Sequence, residues 1–582
     1  MTDKKCECQG HCLNDDERLA IVESKMQSVN YEEHGLVEVL IAAQETYGYL
    51  SEELMKYVAK KLHVPTSRVW GVATFYDRFK IEVAGAKECL ICTGPVCSAA
   101  GAKDILSEAC KQAGVSQPGQ PSLDKRYLIK ETTCLGLCDQ GPAALVNKKP
   151  QVHLSISDVT ALLKGEAQQP VIRVVGEPRV LTAPINKLSP VDIEAHREEG
   201  SFSALDKTLH EMTPEEVIGE LKESRLAGRG GAGFLTGLKW QMVREAESKT
   251  KYVVCNFDEA EPGSFKDRAL MEGNPLRVIE GLIICAHTVG ANMGFIFIRS
   301  EYENASAIVE KAIETLYTED LLGKDILGSD YSFDLKVVRN AGAYICGEET
   351  ALFEAIEGKR GQPRIKPPYP TQSGLFGKPT VINNVETLAV IPDLVNHGGE
   401  WFRQWGTNNS VGLRLFCLSG HVENPCVVES PYGLTVREII ERFGGGFVGE
   451  PQAILIGGAA GGFIGPDSFD VRLTHEDLRP LGVPIGTGAI MVFNSTVDMW
   501  QVLEGLAHFF VHETCGQCAP CRLGTKEIHD ILTGINHGKG TFADINRLDS
   551  VGQLMDETCI CGLGRSAANP IRTFLRNTQT AT

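Results

Sequence analysis

Nineteen cysteines are spread over 582 residues, and their spacing sorts them. Cys92-Thr-Gly-Pro-Val-Cys97 sets four residues between two thiols, and Cys134-Leu-Gly-Leu-Cys138 sets three. Each pair can reach one iron centre from a single loop, and four thiolates are what an iron–sulfur cluster requires. A four-cysteine zinc site is compatible with the same spacings. Farther on, Cys515-Gly-Gln-Cys518-Ala-Pro-Cys521 is a C-x-x-C-x-x-C run, and the distant Cys561-Gly-Leu-Gly564 offers a fourth thiol. Three clustered thiols plus a remote one suit a 4Fe–4S cluster better than zinc. Cys559, two positions before Cys561, competes for that fourth place. Arg522, beside Cys521, could offset thiolate charge. Cys6, Cys8 and Cys12 sit with a histidine in a polar tail that has no rigid frame, so no site is assigned there. Cys89, Cys110, Cys417 and Cys426 have no ligand spacing.

The second group is glycine-rich and acidic. Gly228-Arg229-Gly230-Gly231-Ala232-Gly233 reads G-x-G-x-x-G, with Lys239 and Trp240 just beyond. Glycine lets backbone N–H groups approach a phosphate closely, and Arg229 and Lys239 add charge. In a dinucleotide fold such a hexad follows a strand. Here it follows residues 213–224, which have a helical pattern: Thr213 suits the N-cap, Pro214 the first helical position, and Val217 and Leu221 share a face. The hexad is therefore a loop between helices. Cys255-Asn-Phe-Asp-Glu-Ala-Glu-Pro-Gly-Ser-Phe-Lys-Asp-Arg268 follows, as an acidic loop leaving a strand. Then come Tyr344-Ile-Cys-Gly-Glu-Glu-Thr350, Lys366-Pro-Pro-Tyr369 and Ile382-Asn-Asn-Val-Glu-Thr387.

The elements that must position these groups follow from periodicity. Residues 34–80 read as helices, with apolar faces at Leu36, Val37, Leu40 and at Leu54, Val58, Leu62. Prolines at 170, 178, 184 and 190 mark residues 166–200 as a linker, with a short strand at Val171–Val175. Tyr252–Cys255, Gly294–Ile298 and Leu335–Arg339 read as strands, alternating with a helix near 303–317. Leu413–Ser419 and Ala453–Ile456 are strand-like, and Thr435 caps a helix over Leu434–Phe443. Gly457-Gly-Ala-Ala-Gly-Gly462 lacks a charged partner and a helix start, so it reads as a turn rather than a nucleotide loop. Residues 495–582 turn helical.

In order, the motifs from 228 to 561 resemble the flavin- and NADH-binding subunit of respiratory complex I and its soluble relatives, over about residues 200–582. The cysteine loops at 92–138, with Thr74-Phe-Tyr76, resemble the thioredoxin-like 2Fe–2S subunit of complex I over about residues 30–165. The resemblance implies an α/β multidomain chain. Its expected parts are a Cys-containing tail (1–25), a thioredoxin-like 2Fe–2S domain (26–165), a linker (166–200), an α/β FMN/NADH domain (201–405), a ubiquitin-like β-grasp module (406–490) and a helical 4Fe–4S domain (491–582). It places Cys92, Cys97, Cys134 and Cys138 on the 2Fe–2S cluster and Cys515, Cys518, Cys521 and Cys561 on the 4Fe–4S cluster. The FMN phosphate is expected against Gly228, Arg229, Gly230, Gly231 and Lys239. Asn256, Asp258, Glu259, Tyr344, Gly347, Glu348, Glu349, Asn383, Asn384 and Thr387 complete that pocket. NADH is expected on Phe234, Glu261, Lys366 and Tyr369, with Glu261 beside the adenosine ribose and Glu349 near the nicotinamide end. Two positions depart from the family: Tyr369 stands where phenylalanine is common, and Leu235 where proline is usual.

Composition narrows the class. The net charge of −18 makes nucleic acid or an anionic membrane surface a poor partner. The chain has no 18-residue apolar span and no signal peptide at its start, which implies a cytoplasmic protein. So many thiols in a reducing compartment point to metal ligation rather than disulfides. The resemblance then implies an NAD(H)-linked diaphorase subunit that uses FMN and both clusters, with no side-chain general base. No terminal catalyst is visible in the chain, so catalytic and iron–sulfur partner subunits are expected, most readily those of a soluble NAD-reducing hydrogenase. The β subunit of an NAD-dependent formate dehydrogenase and an electron-bifurcating relative are alternatives. A zinc-binding scaffold is the alternative of a different class.

Overall fold

A computed structural model describes residues 16–82 and 87–578. Cys6, Cys8 and Cys12 lie outside the described residues.

The first sheet carries the first two cysteine loops. Lys87–Cys92 pairs in parallel with Tyr127–Thr132, and antiparallel with Ala144–Val146, which continues to Lys149–Gln151. The parallel register sets Cys92 opposite Thr132. Both strands therefore end at one edge, and the loops bearing Cys97 and Cys134 leave side by side. Helices Leu36–Tyr47, Glu52–Lys61 and Thr66–Ala73 precede this sheet and bury the apolar faces expected of them.

The second sheet is wholly parallel, in the order Asp334–Arg339, Met293–Ile298, Tyr252–Phe257, Thr380–Asn384. Its inner strands Tyr252–Phe257 and Met293–Ile298 are largely apolar and buried, while the edge strand Asp334–Arg339 alternates buried and exposed positions. Pro275–Val289 and Val385–His397 pack together and are buried along almost their whole length. The helix before the glycine loop spans Pro214–Ser224, and a reciprocal capping box between Thr213 and Glu216 starts it.

The third sheet is mixed. Its order is Gly462–Ile464, Pro451–Ile456, Ala489–Asn494, Leu413–Gly420, Cys426–Pro431, Val174–Gly176. The amphipathic helix Val436–Gly444, capped by Thr435, closes a separate core against it. The last strand in that order lies within residues 166–200 and overlaps the short strand expected at Val171–Val175. Val174–Gly176 is an edge strand of this sheet, and the chain beyond it is pinned by the buried Glu429 carboxylate. That carboxylate accepts from the N–H groups of Val180 (3.0 Å), Leu181 (2.8 Å) and Thr182 (3.0 Å), and from the Thr182 hydroxyl (2.6 Å). Proline punctuation marks irregular backbone but is blind to a distant acceptor. Glu429→Ala strands these donors, at about 1–3 kcal/mol for each left unsatisfied. Limited proteolysis should then cut 170–190 faster than in wild type; equal cutting would show that the strand ladder alone holds the segment.

Helices Met499–Glu513, Ala519–Asn536, Phe542–Thr558 and Asn569–Asn577 form the C-terminal bundle. Among the described residues no helix is long and apolar enough to cross a membrane.

Candidate functional site

Strand Tyr252–Phe257 is followed in its sheet by Met293–Ile298 on one side, while Thr380–Asn384 joins on the other. Such a reversal of strand order leaves a crevice at the carboxyl ends of the strands. A cavity of about 580 Å³ opens there, within the range of cofactor sites. Its wall includes Gly230, Gly231, Asn256, Asp258, Glu259, Glu261, Tyr344, Gly347, Glu348 and Asn384, all of them expected site residues. The glycine loop, between helices Pro214–Ser224 and Thr236–Glu245, forms one side. A Cβ on Gly230 would press on the Asn384 Cβ at 3.2 Å, and Gly231 has φ +115°. At Gly230 the loop can lie against the strand end only without a side chain.

Other expected residues stand behind the wall. The Arg229 guanidinium is buried and turned away from the cavity. It donates to the Tyr432 hydroxyl (2.7 Å) and to the carbonyls of Val411 and Leu413 (3.0 Å each), and it packs over the Tyr432 ring. This corrects the expectation that its charge faces a phosphate. A buried cation goes where acceptors replace its hydration, and here those acceptors belong to the third sheet and its approach. Only the Arg229 backbone stays with the loop, held by its N–H on the Thr387 hydroxyl (2.9 Å). Lys239 donates to the Ile382 carbonyl (2.8 Å), and burial lowers its pKa. Asn383 accepts from the Trp240 indole (3.3 Å). Asn383, Thr387 and Lys239 thus brace the loop from behind. Glu348 caps helix Glu349–Ile356, and Lys366 pairs with both Glu348 and Glu349. Phe234 and Tyr369 are half exposed and outside the cavity wall.

Several wall residues were not assigned from sequence. Lys266 is fully enclosed, pairs with Asp267 (2.6 Å) and Glu386 (3.1 Å), and donates to Asn384 (3.1 Å). It lay within the acidic-loop motif, but nothing local told which way it points. Gly457, Ala460, Pro484 and Gly486 come from the third sheet's loops. The Gly457–Gly462 turn is a turn, as expected, yet it faces the cavity: the Ala460 N–H donates to Glu261 (2.8 Å), which also accepts from the Tyr344 hydroxyl.

Burial pushes the Asp258, Glu259 and Glu261 carboxyls up to about 7 each. Asp258 accepts from Asn340 (3.0 Å) on one oxygen, while its other buried oxygen has no protein partner. A polar wall with an orphaned acceptor, a glycine-rich loop and an enclosed lysine fits a phosphate-bearing, hydrogen-bonding heterocycle such as FMN.

Cys92, Cys97, Cys134 and Cys138 converge as their spacing requires. Cys134 and Cys138 Sγ atoms are 3.7 Å apart, and Cys92 interacts with both Cys97 and Cys134. The four are buried. Cys89 and Cys110 lie in the separate core on the other side of the sheet. In the bundle, Cys518 is the N-cap of helix Ala519–Asn536, with Cys521 in its first turn. The free N–H groups of that turn suit an anionic cluster. Cys561 is the N-cap of Gly562–Ser566 and interacts with Cys515 and Cys521. Cys559 interacts with Cys518 and Cys521, and its hydrogen bond pulls the Cys521 thiol down to about 7. Five thiols therefore surround this point. Arg522 donates to the Gly516 carbonyl (2.5 Å). Asp77, His512 and Glu513 also approach one another where the domains meet, but Glu513 is already bonded to Thr133 (3.2 Å) and the Tyr344 N–H (2.9 Å).

Two thiol nests flank a polar cavity on a parallel sheet, an arrangement that suits a flavin–iron–sulfur protein. Family models match three stretches of the chain. Residues 22–166 match the thioredoxin-like 2Fe–2S ferredoxin family, 221–393 the Nuo51 FMN-binding domain, and 501–581 the NADH-ubiquinone oxidoreductase-F iron-sulfur binding region. NAD-reducing hydrogenase HoxS subunit alpha of Cupriavidus necator is 34% identical over 554 residues, 93% of this chain and 90% of that one. NADP-reducing hydrogenase subunit HndC of Solidesulfovibrio fructosivorans is 41% identical, over 68% of this chain and 80% of that one. A crystal structure of NAD⁺-reducing NiFe-hydrogenase in the air-oxidized state superposes with a TM-score of 0.82 at 31% identity, covering 94% of this chain and 92% of that one. The chain belongs to the family of HoxS subunit alpha, and along it the 2Fe–2S ferredoxin match precedes the FMN-binding and iron–sulfur binding matches.

Proposed function

We propose that this chain is the diaphorase subunit of a cytoplasmic NAD-reducing hydrogenase, exchanging electrons between NAD(H) and a partner catalytic subunit. The observation that carries this is the likeness to HoxS subunit alpha along nearly the whole of both chains, fused 2Fe–2S domain included. Bound FMN would supply the conversion between a two-electron hydride and single electrons. The chain's own residues position and insulate. The Gly228–Gly233 loop and the strand ends at Asn256 and Asn384 hold FMN, with Asp258 and Glu259 on its polar atoms. Phe234, Lys366 and Tyr369 guide NADH at the mouth, and Glu261 meets its adenosine ribose. Cys92, Cys97, Cys134 and Cys138 hold 2Fe–2S, and Cys515, Cys518, Cys521 and Cys561 hold 4Fe–4S. The native complex, purified anaerobically, should reduce NAD⁺ with hydrogen and co-purify with a NiFe subunit. Co-purification with a formate-oxidising subunit, without hydrogen-dependent activity, would replace the hydrogenase reading. In the isolated chain, Cys134→Ser should remove the 2Fe–2S EPR signal and leave FMN content unchanged; a signal of undiminished intensity would overturn that ligand set.

A further inference from the structure

Two arginines of the FMN domain reach across to the loop between Cys134 and Cys138. Arg299 follows strand Met293–Ile298, and its guanidinium is 5% exposed. One of its N–H groups donates to the Glu259 carbonyl (2.6 Å), in the acidic loop of the cavity. Another donates to the carbonyl of Cys134 (2.8 Å). Arg268, equally buried, donates to the Gly136 carbonyl (2.9 Å). The loop fits against Tyr302 so closely that a Cβ on Gly136 would fall 1.9 Å from the Tyr302 hydroxyl. The acidic partners stand on the remaining guanidinium edges: Glu301 on Arg299 (3.1 Å), Glu272 (3.0 Å) and Asp139 (3.6 Å) on Arg268.

We propose that Arg299 and Arg268 are positioning residues that set the reduction potential of the 2Fe–2S centre and tie it to the flavin loop. The proposal rests on the assignment of Cys92, Cys97, Cys134 and Cys138 as its ligands. Reduction adds one electron, and hence one negative charge, to a group already surrounded by thiolates. Buried cations with N–H groups aimed at the ligand loop favour that added charge, and they are screened little by solvent. Potentials of such clusters respond to nearby charge, hydrogen bonding and burial. One guanidinium holds both the Glu259 and the Cys134 carbonyls, so the same bonds fix the separation between cavity and cluster.

The test is EPR-monitored redox titration of the holoprotein. Arg299→Gln removes the charge and keeps a donor. Its 2Fe–2S midpoint should fall by about 59 mV or more, a tenfold change for a one-electron couple. Arg299→Lys keeps the charge but cannot span both carbonyls, and should fall by less. Arg268→Gln, which spares the Glu259 carbonyl bond, should shift the same way. The 4Fe–4S midpoint should stay put in all three. A wild-type midpoint in a glutamine variant that retains its cluster overturns the proposal, even if stability drops, because a purely structural clamp would change occupancy and not potential. No 2Fe–2S signal in wild type would overturn the ligand assignment itself.

Discussion

Cys518→Ala abolishes the 4Fe–4S EPR signal and lowers iron per chain from about six to about two, the content of the remaining 2Fe–2S cluster. The effect should be confined to the thiol. Cys518 has an extended N-cap backbone (φ −97°, ψ 137°) that alanine adopts, and its side chain makes no cap hydrogen bond. NADH should still bleach the flavin, because the cavity wall at strands Tyr252–Phe257 and Thr380–Asn384 does not include Cys518. Electron delivery to the partner subunit should stop. Delivery at the wild-type rate would show that this cluster is not the exit from the flavin. Paired variants at the fourth position sharpen the assignment. Cys561→Ala should behave like Cys518→Ala, and Cys559→Ala should keep its iron. Cys559 is more buried than Cys561 (1% against 9%) and lies against Cys521, so the opposite outcome would make it the ligand.

The thiol nests were legible largely because most of their cysteines are local: C-x₄-C, C-x₃-C and C-x₂-C-x₂-C each fit on one loop or helix start, while Cys559 and Cys561 join the second nest from the far end of helix Phe542–Thr558. The parallel sheet was legible in outline, since Tyr252–Phe257 and Met293–Ile298 are largely apolar runs and Asp334–Arg339 shows the alternation of an edge strand. What stayed hidden is what side chains do across long sequence separations. Arg229 looked like a phosphate partner because it sits in the glycine loop, yet its acceptors lie near Val411, Leu413 and Tyr432. Glu429 and the strand Val174–Gly176 meet across some 250 residues, and Arg299 meets Cys134 across 165. The Gly457–Gly462 turn has no phosphate-binding pattern of its own, and it enters the cavity because the third sheet packs there. Periodicity and spacing speak of one element at a time, whereas a site between domains is made by their docking.

Glu261→Gln raises the specificity constant for NADPH about tenfold relative to that for NADH, and it flattens the pH dependence of their ratio. NADP carries a 2′-phosphate on the adenosine ribose, and a carboxylate there rejects it. Two like charges a few ångströms apart cost about 1–3 kcal/mol when partly desolvated, which is about tenfold or more. Membership of the family does not decide the nucleotide, since HndC, named as an NADP-reducing hydrogenase subunit, is 41% identical over 68% of this chain. The decision must come from side chains in the cavity. Glu261 is held there by the Ala460 N–H and the Tyr344 hydroxyl, both of which favour its charged form. Burial opposes them and prevails, so the carboxyl titrates near 7 rather than in the ordinary carboxylate range. The sign follows. Below about pH 7 the group is mostly neutral and the barrier to NADPH is weak; above it the carboxylate forms and the barrier grows. Wild-type preference for NADH over NADPH should therefore rise with pH across this window, while the glutamine variant, which has no proton to lose, should show no such rise. Steady-state kinetics with both nucleotides at several pH values would check it. A wild-type ratio that does not change with pH, matched by an unchanged ratio in Glu261→Gln, would place the selectivity on another residue of the cavity.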